Sequence, residues 1–155
     1  RRQRQMCIRD RVAACDMAVA AEGAGFCLSE TRIGLIPATI RPYVVRAMGR
    51  RAAQRYLLTA ERFDAAEAHR LGLVHTVVAA DGLDAAVDGL VQALRAAGPQ
   101  AVRACKRLLR EVADRPVDDA LIARTVEGIA EIRASDEGRA GVSAFLAKQA
   151  PPWLP

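Results

Sequence analysis

From Asp81 onward the chain has one local solution, helix. Leu83, Val87, Leu90, Val91 and Leu94 recur at i, i+4, i+7, i+8 and i+11, a single apolar stripe at helical period. Gly98-Pro99 resets the chain, and Val102, Cys105, Leu109 and Val112 form a second stripe with Arg103, Lys106, Arg107 and Arg110 lying off it. Pro116 is expected to begin a third helix, striped by Leu121, Ile122, Val126 and Ile129. Ser135 can cap a fourth, where Asp136 and Glu137 suit the positive end of the helix dipole. Four amphipathic helices offer more apolar surface than one small domain covers, which predicts that residues 81–155 associate with other subunits.

The front of the chain reads differently. Val12 to Cys15 ends a helix, and Met17 to Ala21 is a buried strand. The Glu22-Gly-Ala-Gly25 turn leads into a second short strand, Phe26 to Leu28. Gly34 and Pro37 punctuate a loop. Pro42 fits the first turn of a helix that Gly49 can end, and Arg50 to Thr59 starts another. Asp64 with Glu67 predicts a capping-box variant for a helix running to Leu71, which Gly72 closes in the left-handed conformation. Val74 to Val78 is β-branched and predicts a third strand. Three short strands scattered among helices make a poor sheet on their own.

Composition narrows the classes. Apolar residues are 52% of the chain and aromatics only 4%, so the core is built mainly from Ala, Val, Leu and Ile. The net charge is +5, but Arg1, Arg2, Arg4, Arg9 and Arg11 against Asp10 supply most of it. No aromatic interleaves that cluster for base stacking, which argues against nucleic-acid binding. Cys7, Cys15, Cys27 and Cys105 lack C-x-x-C spacing and suit unpaired thiols in a reducing cytoplasm. His69 and His75 have no partner at metal-ligand spacing, so no metal is expected. No apolar run reaches about 18 residues, which argues against a membrane span.

The segment Phe26-Cys-Leu-Ser-Glu-Thr-Arg-Ile-Gly-Leu-Ile-Pro37 ends an apolar run in a lone carboxylate, Glu30, ahead of a Gly/Pro turn. It resembles the second half of the enoyl-CoA hydratase/isomerase (crotonase) superfamily, in which a strand end presents a catalytic glutamate before an Ile-Gly-x-Ile-Pro turn. The resemblance continues through Leu57 to Val74 and ends in Ala144-Phe-Leu-Ala-Lys148. The run Gly34 to Tyr43 is most similar to the branch that hydrates methylglutaconyl-CoA and related branched acyl-CoAs.

The resemblance implies an α/β fold, the C-terminal half of a crotonase-type ββα spiral followed by a helical oligomerisation region. It divides the chain into residues 1–11, a lead segment foreign to the fold, 12–80, a partial spiral core, and 81–155, the helical region. It assigns Glu30 as the general acid/base adding water to an enoyl thioester, and Phe145 and Lys148 to the adenine and phosphate of CoA. A π-face and a point charge suit those two ligand groups. CoA is then part of the substrate, and no separate cofactor is implied. Homotrimers or hexamers are the implied assembly. The oxyanion-hole donors fall outside the resemblance, one in residues ahead of the chain and one on Cys7 to Arg11, so this chain alone is expected to be inactive. Asp10, at the position of a second glutamate in many hydratases, reads as a bystander. A Δ3–Δ2 enoyl-CoA isomerase needs only one carboxylate and stays open, as does a catalytically inert helical module.

Overall fold

A computed structural model describes residues 12–154, so Asp10 and the lead segment lie outside the described residues. The chain divides into two compact units, Arg1–Val87 and Asp88–Pro155. The first contains β1 (Val19–Ala21), β2 (Gly25–Cys27), α1 (Arg41–Thr59), β3 (Arg62–Asp64), α2 (Ala65–Arg70) and β4 (Thr76–Val78). β1 pairs with β4 in parallel, Val19 opposite Thr76 and Ala21 opposite Val78. β2 pairs with β3 antiparallel, Phe26 opposite Phe63. The described strands therefore number four rather than the three expected, because β3 was not foreseen.

Tertiary contacts make β3 a strand. Phe63 stacks on Phe26 at 5.5 Å between ring centroids and meets Tyr56 at 4.3 Å, giving the unit an aromatic centre. Val44, Met48, Leu57, Leu73 and Val74 close around it, all buried. Ala53, Ala65 and Ala68 are fully buried, so the two helices approach the core closely. Gly49, at φ 74° and ψ 156°, breaks α1 into two helical stretches, as expected of that position. Gly72 is left-handed (φ 79°), and a Cβ there would stand 3.0 Å from the Ala47 carbonyl oxygen, so glycine is required twice over. Asp64 accepts a hydrogen bond from the Glu67 amide at 2.8 Å and caps α2.

α3 (Leu83–Arg95) begins in the first unit and ends in the second, which continues with α4 (Pro99–Val112), α5 (Asp119–Ala134) and α6 (Asp136–Leu146). Helix α5 starts at Asp119 and not at Pro116, because Asp118 caps it by accepting from the Leu121 amide at 2.8 Å. Ser135 caps α6 as expected, accepting from the Gly138 amide at 3.0 Å. Glu137 reaches across to the start of α4 and accepts from the Gln100 and Ala101 amides at 2.9 and 2.8 Å. An Arg124–Glu111 ion pair at 2.9 Å joins α5 to α4. Trp153 packs on Gly141 and donates its indole N–H to the Ala96 carbonyl at 3.1 Å, holding the tail down. Yet Leu109, Ile122, Val126, Ile129, Val142 and Leu146 all remain exposed.

Candidate active site

β2 ends at Cys27, and Leu28 stays buried before the chain turns. Glu30 opens a single 3₁₀ turn, Glu30–Ile33, three residues after the end of that strand. The turn is tied by bonds from the Arg32 amide to the Ser29 carbonyl (3.1 Å) and from the Leu35 amide to the Glu30 carbonyl (3.1 Å). Gly34 closes it at φ 75°, where an L side chain would be strained. Helix α1 contacts the turn. Ile33, Leu35 and Ile36 flank it with large exposed apolar side chains.

Within this frame the Glu30 carboxylate is unusual. Its Oε2 is shut off from solvent and has no hydrogen-bond partner among the described residues, and the same holds for the neighbouring Thr31 Oγ1. Buried polar atoms are nearly always paired, and one left unpaired costs about 1–3 kcal/mol. Glu30 forms no ion pair with Arg32 among the described residues, and Arg32 is exposed. The Thr31 hydroxyl was not legible in the sequence, because its burial follows from what packs on the turn.

Phe145 and Lys148 belong to the second unit. Phe145 is 81% exposed in the last turn of α6. The Lys148 amide donates to the Phe145 carbonyl at 3.1 Å, and Lys148 itself adopts φ 55°, turning the chain sharply after the helix. The ring and the ammonium-bearing residue thus lie one turn apart on a surface, in a different unit from Glu30.

A second polar cluster escaped the sequence reading. The Tyr56 hydroxyl donates to Glu67 Oε1 at 2.7 Å, and Arg70 donates to both Glu67 oxygens at 2.6 and 2.7 Å. The Arg70 guanidinium, then the Tyr56 hydroxyl, hold the Glu67 carboxyl down to about 2. Burial, then the hydrogen bond to Glu67, pushes the Tyr56 phenol up. Arg55 lies over the Tyr56 ring at 5.2 Å and pairs with Glu61 at 2.5 Å. Each acceptor here already has its donors, so the cluster reads as a brace between α1 and α2. Among the described residues no three His, Cys, Asp or Glu side chains gather as a metal site. No described helix is long and apolar enough to cross a membrane.

A glutamate in a turn after a short strand, followed by a helical continuation, is the arrangement that the crotonase resemblance implies. The enoyl-CoA hydratase/isomerase family model matches residues 11–154, and the chain belongs to that family. The structure of an enoyl-CoA hydratase from Shewanella pealeana is 47% identical, with a TM-score of 0.89 over 94% of this chain and 54% of its own. A putative enoyl-CoA hydratase/isomerase (crotonase) from Legionella pneumophila is 43% identical, with a TM-score of 0.88 over 94% and 56% of the two chains. The enoyl-CoA hydratase ACTT6 of Alternaria alternata is 35% identical over 84% of this chain and 44% of its own length. The mevalonyl-coenzyme A hydratase sidH of Aspergillus fumigatus is 33% identical over 94% and 55%. The chain thus spans about half the length of the relatives it matches.

Proposed function

We propose that this chain carries the acid/base half of an enoyl-CoA hydratase. The carrying observation is the Glu30 Oε2, buried and unpartnered in the family's motif. Hydration places a hydroxyl on Cβ of an α,β-unsaturated thioester and a proton on Cα. The Glu30 carboxylate takes a proton from water as the oxygen bonds to Cβ, and the carboxylic acid so formed returns a proton at Cα. An orphan lone pair shielded from solvent is suited to both steps. The exposed Ile33, Leu35 and Ile36 form an apolar surround for the acyl chain. The Gly34–Tyr43 run supports a branched, methylglutaconyl-like acyl group. Phe145 and Lys148 take the adenine and phosphate of CoA, and the exposed stripes of α3 to α6 form the subunit contacts of a trimer or hexamer. The oxyanion donors, worth about 2.7–4 kcal/mol each at such sites, lie outside residues 12–154 in this reading, so the chain alone turns over no substrate.

The test is a chimera in which residues 12–155 of this chain replace the matching residues of the Shewanella pealeana relative, whose own residues ahead of them are kept. The chimera is expected to hydrate methylglutaconyl-CoA and to sediment as a trimer or larger, whereas the isolated chain does not hydrate. Glu30→Gln is expected to lower kcat by about 10²–10⁴ with KM nearly unchanged. A Glu30→Gln chimera working at the parent rate would remove Glu30 from the chemistry. A parent that moves a 3-double bond to the 2-position without adding water would make the enzyme an isomerase.

A further inference from the structure

The five threonines of the chain differ in how their hydroxyls are satisfied. Thr59 donates to the Arg55 carbonyl and Thr125 to the Ile122 carbonyl, both at 2.8 Å, the back-bond usual for a helical threonine. Thr39 and Thr76 are exposed to water. Thr31 has neither outlet, since its Oγ1 is shut off from solvent and unpaired among the described residues. The cause is local. Thr31 stands second in the Glu30–Ile33 turn, so the carbonyls three and four residues back belong to Leu28 and Cys27, ahead of the turn and outside its helical register.

The backbone around it is engaged. The Leu35 amide donates to the Glu30 carbonyl at 3.1 Å, and the Gly34 amide to the Thr31 carbonyl at 3.3 Å. Two consecutive side chains nevertheless end in a buried oxygen without a partner, and no other described side chain carries such an atom. Buried polar atoms are nearly always paired, so two orphans on neighbouring residues point to one shared partner. A water suits that place, because it takes two to four polar partners. Two hydrogen bonds of about 2.8 Å let it bridge oxygens up to roughly 5.5 Å apart.

We propose that Thr31 is a further catalytic residue: its hydroxyl and Glu30 Oε2 together hold the water that adds to Cβ of the enoyl thioester. This rests on Glu30 being the acid/base. One water proton lies toward Glu30 Oε2 and the other toward Thr31 Oγ1, which leaves a lone pair of the water oxygen for Cβ. As the O–Cβ bond forms, the Cα=Cβ π pair moves onto Cα and the thioester carbonyl, and the first proton passes to Glu30. The second proton stays on oxygen in the product hydroxyl, and the carboxylic acid returns its proton to Cα. Thr31 exchanges no proton; it fixes the direction of attack.

The chimera is measured in two reactions. Hydration needs the oriented water, whereas exchange of a Cα proton of a saturated acyl-CoA with D₂O needs Glu30 and no nucleophile. Thr31→Val keeps the branched shape and loses the hydroxyl. It is expected to lower kcat for hydration by about 10–100-fold, with KM and the rate of Cα exchange within about twofold of the parent. Thr31→Ser restores a hydroxyl and should stay within about threefold of the parent in both reactions. Hydration by Thr31→Val at the parent rate would overturn the proposal. So would equal losses of hydration and exchange, because Thr31 would then only support Glu30. Glu30→Gln separates the two levels: a variant that keeps both reactions removes the acid/base reading and the proposal with it. Loss of both in Glu30→Gln, beside a Thr31→Val at the parent rate, removes the proposal alone. The urea midpoint of this full chain is a check that needs no catalysis. Thr31→Val should unfold no earlier than the parent, and a lower midpoint would show that the hydroxyl already has a partner in the fold and does not serve the water.

Discussion

Replacing Glu30 by methionine should make this chain more stable, and the sign separates a working carboxylate from a structural one. Methionine has nearly the length and flexibility of glutamate and no polar oxygen, so it fills the same space. The Oε2 that it removes is buried without a partner, a situation costing about 1–3 kcal/mol. What glutamate gains by lying in the first turn of a four-residue 3₁₀ segment is a few tenths of a kcal/mol at most. The desolvation term therefore wins, and Glu30→Met should stabilise by about 1–2 kcal/mol. For a chain of 155 residues that raises Tm by roughly 2–8 °C. Glu30→Gln keeps an unpaired polar end and should stay within about 1 kcal/mol of the parent. Urea titration of the three proteins, with equal m-values, is the assay. A Glu30→Met chain less stable than the parent by 1 kcal/mol or more would show that the carboxylate has a partner holding the turn together. The orphan oxygen would then be no evidence for chemistry. A carboxylate kept at such a cost is what the proposed chemistry requires, since activity and stability commonly trade against each other.

Two further outcomes follow from other parts of the structure. Glu67 is held at about 2 in the folded chain against an ordinary 4.5, so its contribution to stability is complete above about pH 4.5 and fades as pH falls toward 2. The Tm gap between the parent and Glu67→Gln should be open at pH 6 and closed near pH 2, and a gap constant across that range would mean that the Arg70 and Tyr56 bonds do not form in solution. In the second unit, Glu137→Ala removes the acceptor for the Gln100 and Ala101 amides and should cost about 1 kcal/mol, read as a lower urea midpoint. Gly98→Ala should act in the same direction, since its Cβ would fall 2.5 Å from Glu137 Oε1, and midpoints unmoved in both variants would refute the tie between α6 and α4.

What the sequence revealed follows the range of the interaction responsible. Caps are decided within four residues, and Asp64, Ser135 and Gly72 do what their local chemistry predicts. The start of α5 moved from Pro116 to Asp119 for the same local reason: proline tolerates a first turn, but Asp118 supplies the acceptor that starts one. The strand Arg62–Asp64 carries no period at all, one aromatic between two charges, and exists because Phe63 stacks against Phe26 about forty residues earlier. No local rule reaches that far. The Tyr56–Glu67–Arg70 brace was hidden likewise, since an α1 tyrosine and an α2 glutamate meet only after both helices dock.

The site divides along the same line. Glu30 was legible as a residue because a strand end, a carboxylate and a Gly/Pro turn are contiguous in the chain. Its unpartnered oxygen and the buried Thr31 hydroxyl were not, because solvent exclusion is a property of everything packed around the turn. The helical stripes show the converse limit. Period identifies an apolar face, yet Cys105, placed on a stripe with Val102 and Leu109, is exposed, as are Val126, Ile129 and Phe145. An apolar face left open at this scale displays groups whose burial would lower the free energy of a larger assembly. The stripes ask only for non-directional packing, so helix association should decline gradually with each apolar residue removed, and its loss on a single substitution would refute that reading.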